Sequence, residues 1–117
     1  MKTEIHGLAT SEGDKTLFAF SRPVCWNDGT PIFQSHHDVF DAMLLNLAGG
    51  YTALPVADGC WRDPETGIVY KERMQEVRVL CTGENRAKII REALTHYQQE
   101  AIFWYVVSNY TVIEAKE

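Results

Sequence analysis

The sequence predicts an α+β fold of the ferredoxin-like type, with the element order β-α-β-β-α-β, an antiparallel sheet and both helices on one face of that sheet. Two stretches repeat apolar residues at helical spacing, and each is flanked by stretches with the period of two that is typical of strands. The two halves of the chain therefore share one β-α-β order, as in the split βαβ arrangement. We expect residues 1–15 to form an arm or an edge strand and residues 16–117 to form a single domain.

The first strand and the first helix have clear boundaries in the sequence. Residues 16–20 favour a strand, which Pro23 ends because proline cannot donate to a ladder. Ser35 is a good N-cap residue and begins the helix. Apolar residues then recur at i, i+1, i+4, i+5 and i+8 up to Leu47, and Gly49-Gly50 ends the helix.

The centre of the chain, residues 49–81, has the pattern of two strands joined by a polar connection. Residues 51–56 alternate with a period of two, as expected for a pleated strand. Asp58-Gly59 and the segment 63–67 have turn chemistry, because aspartate bonds its own backbone and glycine accepts a positive φ. We therefore predict two turns, one on each side of Trp61.

The return strand of this hairpin, residues 68–81, changes its apolar phase midway. Tyr70 belongs to one phase, whereas Val77 and Val79 belong to the other. A slip of one residue exchanges the two faces of a strand. We therefore predict a bulge or a twist near residues 72–76.

A second helix and a last strand complete the order. Helical spacing of apolar residues predicts a helix over residues 86–99. Residues 101–113 are rich in aromatic and β-branched residues in both strand phases, for example Trp104 and Tyr105, which indicates a strand covered on both faces. Two helices can cover only one face of the sheet, so we predict a homodimer formed through the open sheet face.

Composition and charge narrow the possible functions. The chain has 117 residues, of which 45% are hydrophobic and 23% charged, and its net charge is −5. It lacks the clustered Lys and Arg that bind nucleic acid or an anionic membrane, so we predict neither partner. No apolar run approaches the roughly 20 residues of a membrane helix, and no signal peptide is recognisable, so we expect a cytoplasmic protein. The three cysteines cannot all pair within one chain and show no CxxC spacing, so we expect reduced thiols.

Short motifs spread over residues 16–108 match a known pattern. They are Phe20-Ser21-Arg22-Pro23, Gly50-Tyr51-Thr52, Gly59-Cys60-Trp61-Arg62-Asp63 with Gly67, Glu72, and Tyr97 with Gln99-Glu100-Ala101. Together they resemble a small bacterial family that is classed as a domain of unknown function. More distantly, the layout resembles signal-transducing proteins related to the nitrogen regulator PII, which are ferredoxin-like oligomers, although the basic nucleotide-binding loop expected there is absent. The resemblance implies the fold and implies no activity.

One group of side chains has the character of a metal site. His36-His37-Asp38 precedes Asp41, and on a helix His37 and Asp41 lie one turn apart on a common face. Polar residues are expected anyway on the outer side of a first helical turn, and no third ligand is evident. We therefore predict no metal and no cofactor, and we expect His6 and His96 to be surface histidines.

Polar residues around Trp61 form the candidate ligand-binding site. The set is Tyr51, Trp61, Arg62, Glu72 and Gln99. If Gln99 enters the last strand beside Glu72, a pocket with one carboxylate acid or base forms next to an exposed aromatic ring. In the alternative, Trp61 covers the edge of the core, Glu72 pairs with a neighbouring Arg or Lys, and Gln99 ends the second helix.

No motif in the sequence specifies a reaction, since it has no Gly-rich phosphate loop, nucleophile elbow or paired Cys and His motif. The leading hypothesis is a small oligomeric module that binds a small molecule or a protein partner through the sheet and the Trp61 region. The alternative is a small cofactor-independent enzyme of the dimeric ferredoxin-like type, in which Glu72 or a histidine transfers a proton. A third possibility is a purely structural interaction protein. The sequence alone does not decide whether the protein is an enzyme.

Overall fold

The computed structural model describes residues 2–7 and 14–115. In chain order, this part of the protein contains β1 (Lys2–Gly7), β2 (Lys15–Pro23), α1 (Gln34–Ala48), β3 (Thr52–Ala53), β4 (Ala57–Arg62), β5 (Val69–Thr82), α2 (Gly83–His96), β6 (Trp104–Ser108) and β7 (Tyr110–Ala115). Neither α1 nor α2 has the length and apolar character needed to cross a membrane.

The main sheet has the strand order β3-β5-β2-β6, and β4 pairs with the part of β5 that extends beyond β3. All of these strand pairs are antiparallel. Each helix connects an inner strand to an edge strand, α1 after β2 and α2 after β5. The α+β ferredoxin-like fold predicted from the sequence is confirmed.

The core lies between the sheet and the two helices. The inner strands contribute Phe18, Phe20, Val77 and Val79, and the helices contribute Phe40, Leu44, Ile89 and Ala93. These side chains are almost fully buried, and each large one stabilises the fold by roughly 1.5–3 kcal/mol relative to leaving it in water. The apolar stripes predicted for both helices therefore face the sheet, except for Val39, which is exposed.

The helix boundaries differ from the prediction at both amino-terminal ends and at the end of α2, which lies at His96 and not at residue 99. Phe33, not Ser35, is the N-cap residue of α1, and no side chain caps that end. The predicted end of α1 is confirmed, because Gly49 adopts a left-handed φ of 78° and its N–H donates to Leu45 O. α2 begins earlier than predicted, since the Thr82 hydroxyl accepts a hydrogen bond from the Asn85 N–H at 3.2 Å.

The edge strand that follows α1 is interrupted. β3 aligns Ala53 with Val77, and β4 aligns Ala57 with Met74. Between these two pairs the edge advances by four residues, whereas β5 advances by three. The edge therefore carries one extra residue, which lies around Pro55. The bulge predicted within residues 72–76 lies instead in the edge strand opposite that segment. β5 itself keeps an unbroken register with β2.

β4 and the outer half of β5 form a two-stranded ribbon. Its tip is the predicted turn, in which Asp63 Oδ1 accepts from the N–H groups of Glu65 and Thr66. The turn predicted at Asp58-Gly59 is wrong, because both residues lie inside β4. Pairing with β5 along the whole of β4 outweighs the local turn preference of those two residues.

The predicted last strand is divided. β6 begins only at Trp104, and Asn109 separates it from β7. Trp104 stands opposite Phe20 on the helix side, where the Arg86 guanidinium lies 4.5 Å from its ring centroid. β7 leaves the main sheet and pairs with β1, forming a second ribbon next to β2.

Candidate functional site

A concave site, which we call the cleft, lies between the loop after β2 and the outer half of β5. Its lining residues are Pro23 from the end of β2, Cys25, Trp26, Asn27 and Gly29 from the loop, Tyr70, Lys71, Glu72, Arg73 and Met74 from β5, and Gln99 from the segment after α2. Its volume of about 380 Å³ falls within the range of small-molecule sites. Three separate parts of the chain therefore meet at one open cavity.

The loop wall of the cleft is held by its own hydrogen bonds. The Trp26 N–H donates to Thr30 O at 2.8 Å, and the Gly29 N–H donates to Trp26 O at 2.9 Å. The hydroxyl and the N–H of Thr30 donate to Asp28 Oδ1, and these bonds lower the pKa of the Asp28 carboxyl. Gly29 has a left-handed φ of 88°, which glycine adopts without steric cost. These bonds order the loop without a ligand.

Gln99 joins the loop to the end of α2. Its amide Nε2 donates to Asn27 Oδ1 at 3.2 Å and to Tyr97 O at 3.0 Å. Asn27 in turn donates to Gln98 O at 3.4 Å. Both donor hydrogens of the Gln99 amide are used in this way, whereas its carbonyl oxygen has no hydrogen bond within the described part of the chain.

Glu72 supplies the carboxylate of the cleft. It stands opposite Gly59 in the ribbon and is exposed. Neither a hydrogen bond nor an ion pair engages its carboxylate among residues 2–7 and 14–115. Arg73, the next residue, is instead 3.5 Å from Asp58 in an exposed ion pair. The carboxylate is therefore available to a ligand.

Trp61 lies beside the cleft. Its ring stacks on Tyr70 with a centroid distance of 4.8 Å and an interplanar angle of 21°. Because Trp61 pairs with Tyr70 and Gly59 pairs with Glu72, the Trp61 and Glu72 side chains are diagonal neighbours on one face of the ribbon. Trp61 remains 48% exposed, so it does not cover the edge of the core.

The other two predicted site residues lie elsewhere. Arg62 follows Trp61 in β4 and therefore points to the opposite face of the ribbon. Tyr51 lies between α1 and β3, where its hydroxyl donates to Asp41. Burial, with the neighbouring Asp41 carboxylate, raises the pKa of Tyr51. The structure thus brings together Trp61, Glu72 and Gln99, but not the other two.

A buried polar cluster, which we call the Arg22 cluster, was not predicted. Its members are Arg22, His37, Asp41, Gln75 and Tyr97. Arg22 is only 2% exposed. Its guanidinium donates to Asp41 Oδ1 at 2.5 Å and, through two nitrogens, to Gln75 Oε1 at 2.9 and 3.0 Å. These bonds compensate the positive charge, which burial without partners would make costly.

Tyr97 links this cluster to the helices. Its hydroxyl oxygen lies 2.7 Å from His37 Nδ1 and 3.5 Å from Arg22 Nη1. Burial raises the pKa of Tyr97 to about 12, so the hydroxyl keeps its proton. Burial also lowers the pKa of His37, and the nearby Arg22 cation acts in the same direction. The prediction that His37 and Asp41 lie on the polar side of the helix is wrong, because both face this cluster.

A second histidine contact joins the two helices. His36 Nε2 donates to His96 O at 2.7 Å, and His96 Nε2 donates to His36 O at 2.6 Å. The two imidazole rings stack with centroids 3.7 Å apart. His96 is therefore not the surface histidine that was predicted. The Trp26 ring lies 4.8 Å from His36, which connects this contact to the wall of the cleft.

Metal and thiol chemistry have few candidates in this structure. Residues 2–7 and 14–115 contain no group of three His, Cys, Asp or Glu side chains placed to hold a metal ion. The absence of a bound metal or cofactor stays a prediction. Cys81 is buried, and burial raises the pKa of its thiol to about 11. Cys25 lines the cleft, and Cys60 is exposed in β4.

Sequence signals for the Arg22 cluster did exist. Arg22 continues the strand phase of Phe18 and Phe20, which face the core, so its burial follows from alternation alone. Arg22, Tyr51 and Tyr97 also come from three separate motifs of the family resemblance. Arg22 and Tyr51 both donate to Asp41, and Arg22 also contacts the Tyr97 hydroxyl, so the three residues belong to one network.

Comparison with known proteins finds a likeness in structure only. No family model and no curated protein sequence matches the chain. Among solved structures, a divalent cation tolerance protein, CutA1, from Thermus thermophilus superposes with a TM-score of 0.53 at 13% identity, over 88% of this chain and 85% of that one. CutA1 from a psychrotrophic Shewanella species gives a TM-score of 0.61 at 9% identity, over 84% and 83% of the two chains. CutA from Synechococcus elongatus gives 0.59 at 12% identity, over 90% and 81%.

These likenesses establish the fold alone, because identities this low carry no information about function. The chain has the ferredoxin-like architecture of the divalent cation tolerance proteins over most of its length. The resemblance to the small bacterial family of unknown function stays a prediction, since no family model supports it.

Proposed function

We propose that the protein is a small homo-oligomeric module that binds a small molecule in the cleft. The observation that carries this proposal is the unpartnered Glu72 carboxylate in a cavity of about 380 Å³ with aromatic rings in its walls. Ligand sites combine apolar surface with a few polar groups that fix orientation. Here the hydrogen-bonded loop and Gln99 form the cavity before any ligand arrives.

The lining groups indicate the chemistry of the ligand. The Glu72 carboxylate and the free carbonyl oxygen of Gln99 both accept hydrogen bonds. Trp26 and Tyr70 offer ring surfaces, and Trp61 extends the ring surface of Tyr70 by stacking on it. A ligand with N–H donors and a flat or cationic part satisfies both kinds of wall, because aromatic rings attract cations. We infer that an amine or amidine with an aromatic or planar group suits the cleft.

Association with a second copy is the other part of the proposal. On the sheet face opposite the helices, Tyr105 donates a hydrogen bond to Glu76, and Arg78 pairs with the same carboxylate at 3.1 Å. Leu17 and Leu80 lie on this face as well, and Phe103, at its rim, is 69% exposed. Exposed aromatic and aliphatic side chains are enriched in interfaces, and the charged groups on this face already pair with each other. We propose that two copies form a homodimer through this face.

An enzyme that uses Glu72 as an acid or base remains the second candidate, since this carboxylate has no competing partner within the described residues. A histidine is the weaker choice for that role, because His36, His37 and His96 lie between the helices and do not line the cleft. A pH-dependent activity on a panel of metabolites that is lost in Glu72→Gln would favour the enzyme.

Thermal-shift screening with small amines and amidines tests the binding proposal. A compound that binds only the native state raises the unfolding temperature by mass action. We expect a concentration-dependent rise for the wild-type protein that is lost in Glu72→Gln. Glu84→Gln is the matched control, since Glu84 is exposed on α2 and faces Lys88. A rise that persists unchanged in Glu72→Gln would contradict the assignment of the cleft.

A further inference from the structure

The Tyr97 hydroxyl lies within hydrogen-bonding distance of two groups, the Arg22 guanidinium and the His37 imidazole. Arg22 can only donate hydrogen bonds, so where its Nη1 faces the hydroxyl at 3.5 Å the oxygen serves as the acceptor. The hydroxyl hydrogen is then left for His37 Nδ1, which lies 2.7 Å away. His37 Nδ1 must therefore be unprotonated, and the imidazole proton must be on Nε2.

Protonation of His37 breaks this arrangement. A proton on Nδ1 would point at the hydrogen of the Tyr97 hydroxyl, which would then have to turn away. Neither Arg22 nor protonated His37 could accept that hydrogen, and Tyr97 is completely buried. A buried donor without an acceptor is expensive, so protonation destabilises the contact between α1 and the end of α2.

The charges around His37 act in both directions. Arg22 on β2 opposes a second positive charge, as do His36 on α1 and His96 on α2 when they are protonated. Asp41, one turn further along α1, favours it, but its carboxylate is already held by Arg22. Tyr51 also donates to Asp41, which leaves less of that negative charge for His37.

We propose that the His37–Tyr97 pair is an acid-sensitive latch, which holds the end of α2 against α1 and β2 at neutral pH and releases it in acid. The segment it holds is short. Beyond α2, the Tyr97 N–H donates to Ala93 O at 3.0 Å and the Gln99 N–H donates to Leu94 O at 2.9 Å. Release of the latch weakens these two bonds first, because Tyr97 is the side chain that anchors this turn in the core.

Unfolding by urea between pH 5 and pH 8 tests the latch. The unfolded chain takes up a proton on His37 at a higher pH than the native chain, so stability is complete above about pH 6.5 and declines below it. Below that pH, the unfolding equilibrium constant is expected to rise by up to about tenfold for each pH unit by which the pH falls, because unfolding then binds one extra proton. His37→Asn retains an acceptor oxygen near the position of Nδ1 and cannot be protonated, so this contribution should vanish.

The matched control is His96→Gln, which removes another imidazole of the same region and keeps the latch intact. It should retain the pH dependence that His37→Asn loses. If His37→Asn shows the same dependence as the wild-type protein, the latch is refuted.

A second measurement keeps the test decisive even if His37→Asn does not fold. Nitrogen NMR of the wild-type imidazoles should find His37 neutral at pH 7, with its proton on Nε2. Amide exchange at Tyr97 and Gln99 should accelerate as His37 takes up a proton, ahead of the amides in the middle of α2. A proton on Nδ1 at pH 7, or titration of His37 without faster exchange at those two amides, would overturn the proposal.

Discussion

Arg22 illustrates how a charged side chain can belong to the core of a small domain. It occupies the strand phase of Phe18 and Phe20, and its guanidinium is satisfied by Asp41 and Gln75. Removing one member of such a pair leaves the other charge buried without a partner, which costs far more than the pair itself contributes.

We therefore expect Arg22→Met to lower the free energy of unfolding by roughly 3 kcal/mol or more, as for a broken buried ion pair. The double variant Arg22→Met with Asp41→Leu should recover much of that loss, because no charge is then left unpaired. Urea denaturation at pH 7 measures both. If the single variant lowers the free energy of unfolding by less than about 1 kcal/mol, the prediction is wrong. A change of that size is expected for an exposed ion pair and would mean that water solvates Asp41 when Arg22 is absent.

Trp61 contributes to the surface of the ribbon and not to the core. Truncation of a buried aromatic costs roughly 3–5 kcal/mol, whereas loss of one stacked pair costs about 0.5–1.5 kcal/mol. Because Trp61 is half exposed and its main contact is Tyr70, we expect Trp61→Ala to fall in the lower range. Binding of a cleft ligand should weaken more than stability does. A loss above about 3 kcal/mol in denaturation experiments would instead place Trp61 in a core.

The elements of this fold follow from local patterns wherever one pattern dominates. The helical stripes of α1 and α2 predicted the correct core faces, apart from Val39. The ribbon was harder to predict, because Asp58 and Gly59 have turn preferences that strand pairing overrides. The partner of β4 is β5, which lies beyond the turn at residues 63–67. The residues around Asp58 and Gly59 carry no local signal of this pairing.

The amino-terminal end of α1 offers a direct test of element stability. Phe33 is the N-cap residue, caps nothing and is largely exposed. Phe33→Asp should raise the free energy of unfolding by about 0.5–1 kcal/mol, because the carboxylate accepts from free N–H groups and suits the positive helix end. Phe33→Ala is the control, since it removes the same ring without adding a cap. If urea denaturation gives the same free energy of unfolding for both variants, an added cap at this position does not stabilise α1, which contradicts the prediction.

At the scale of the whole molecule, the cleft was only partly predictable. The candidate set contained Glu72, Trp61 and Gln99, but the loop with Trp26 was not recognised as their neighbour. Its approach to β5 depends on long-range packing, including the bond between Asn27 and Gln99. A single sequence carries no local signal for such contacts.

Association is a property of the whole molecule, and Tyr105 tests it. We expect light scattering to find a dimer at micromolar concentration. Within one chain, Tyr105 is 36% exposed on the sheet face opposite the helices, so a charge at this position should act mainly on association. Tyr105→Glu, which also sets a second carboxylate beside Glu76, should give a monomer at that concentration. The control Val39→Glu, on the exposed side of α1, should remain dimeric. A wild-type monomer would remove the proposed interface.

The most direct test of the central claim is an amide chemical-shift map of the wild-type protein, recorded with the amine or amidine that stabilises it most. We expect the largest changes at Trp26, at residues 70–74 and at Gln99, which come from three distant parts of the sequence and meet only at the cleft. Changes concentrated instead along Met43, Leu47 and Thr95, in the groove between the two helices, would contradict the account.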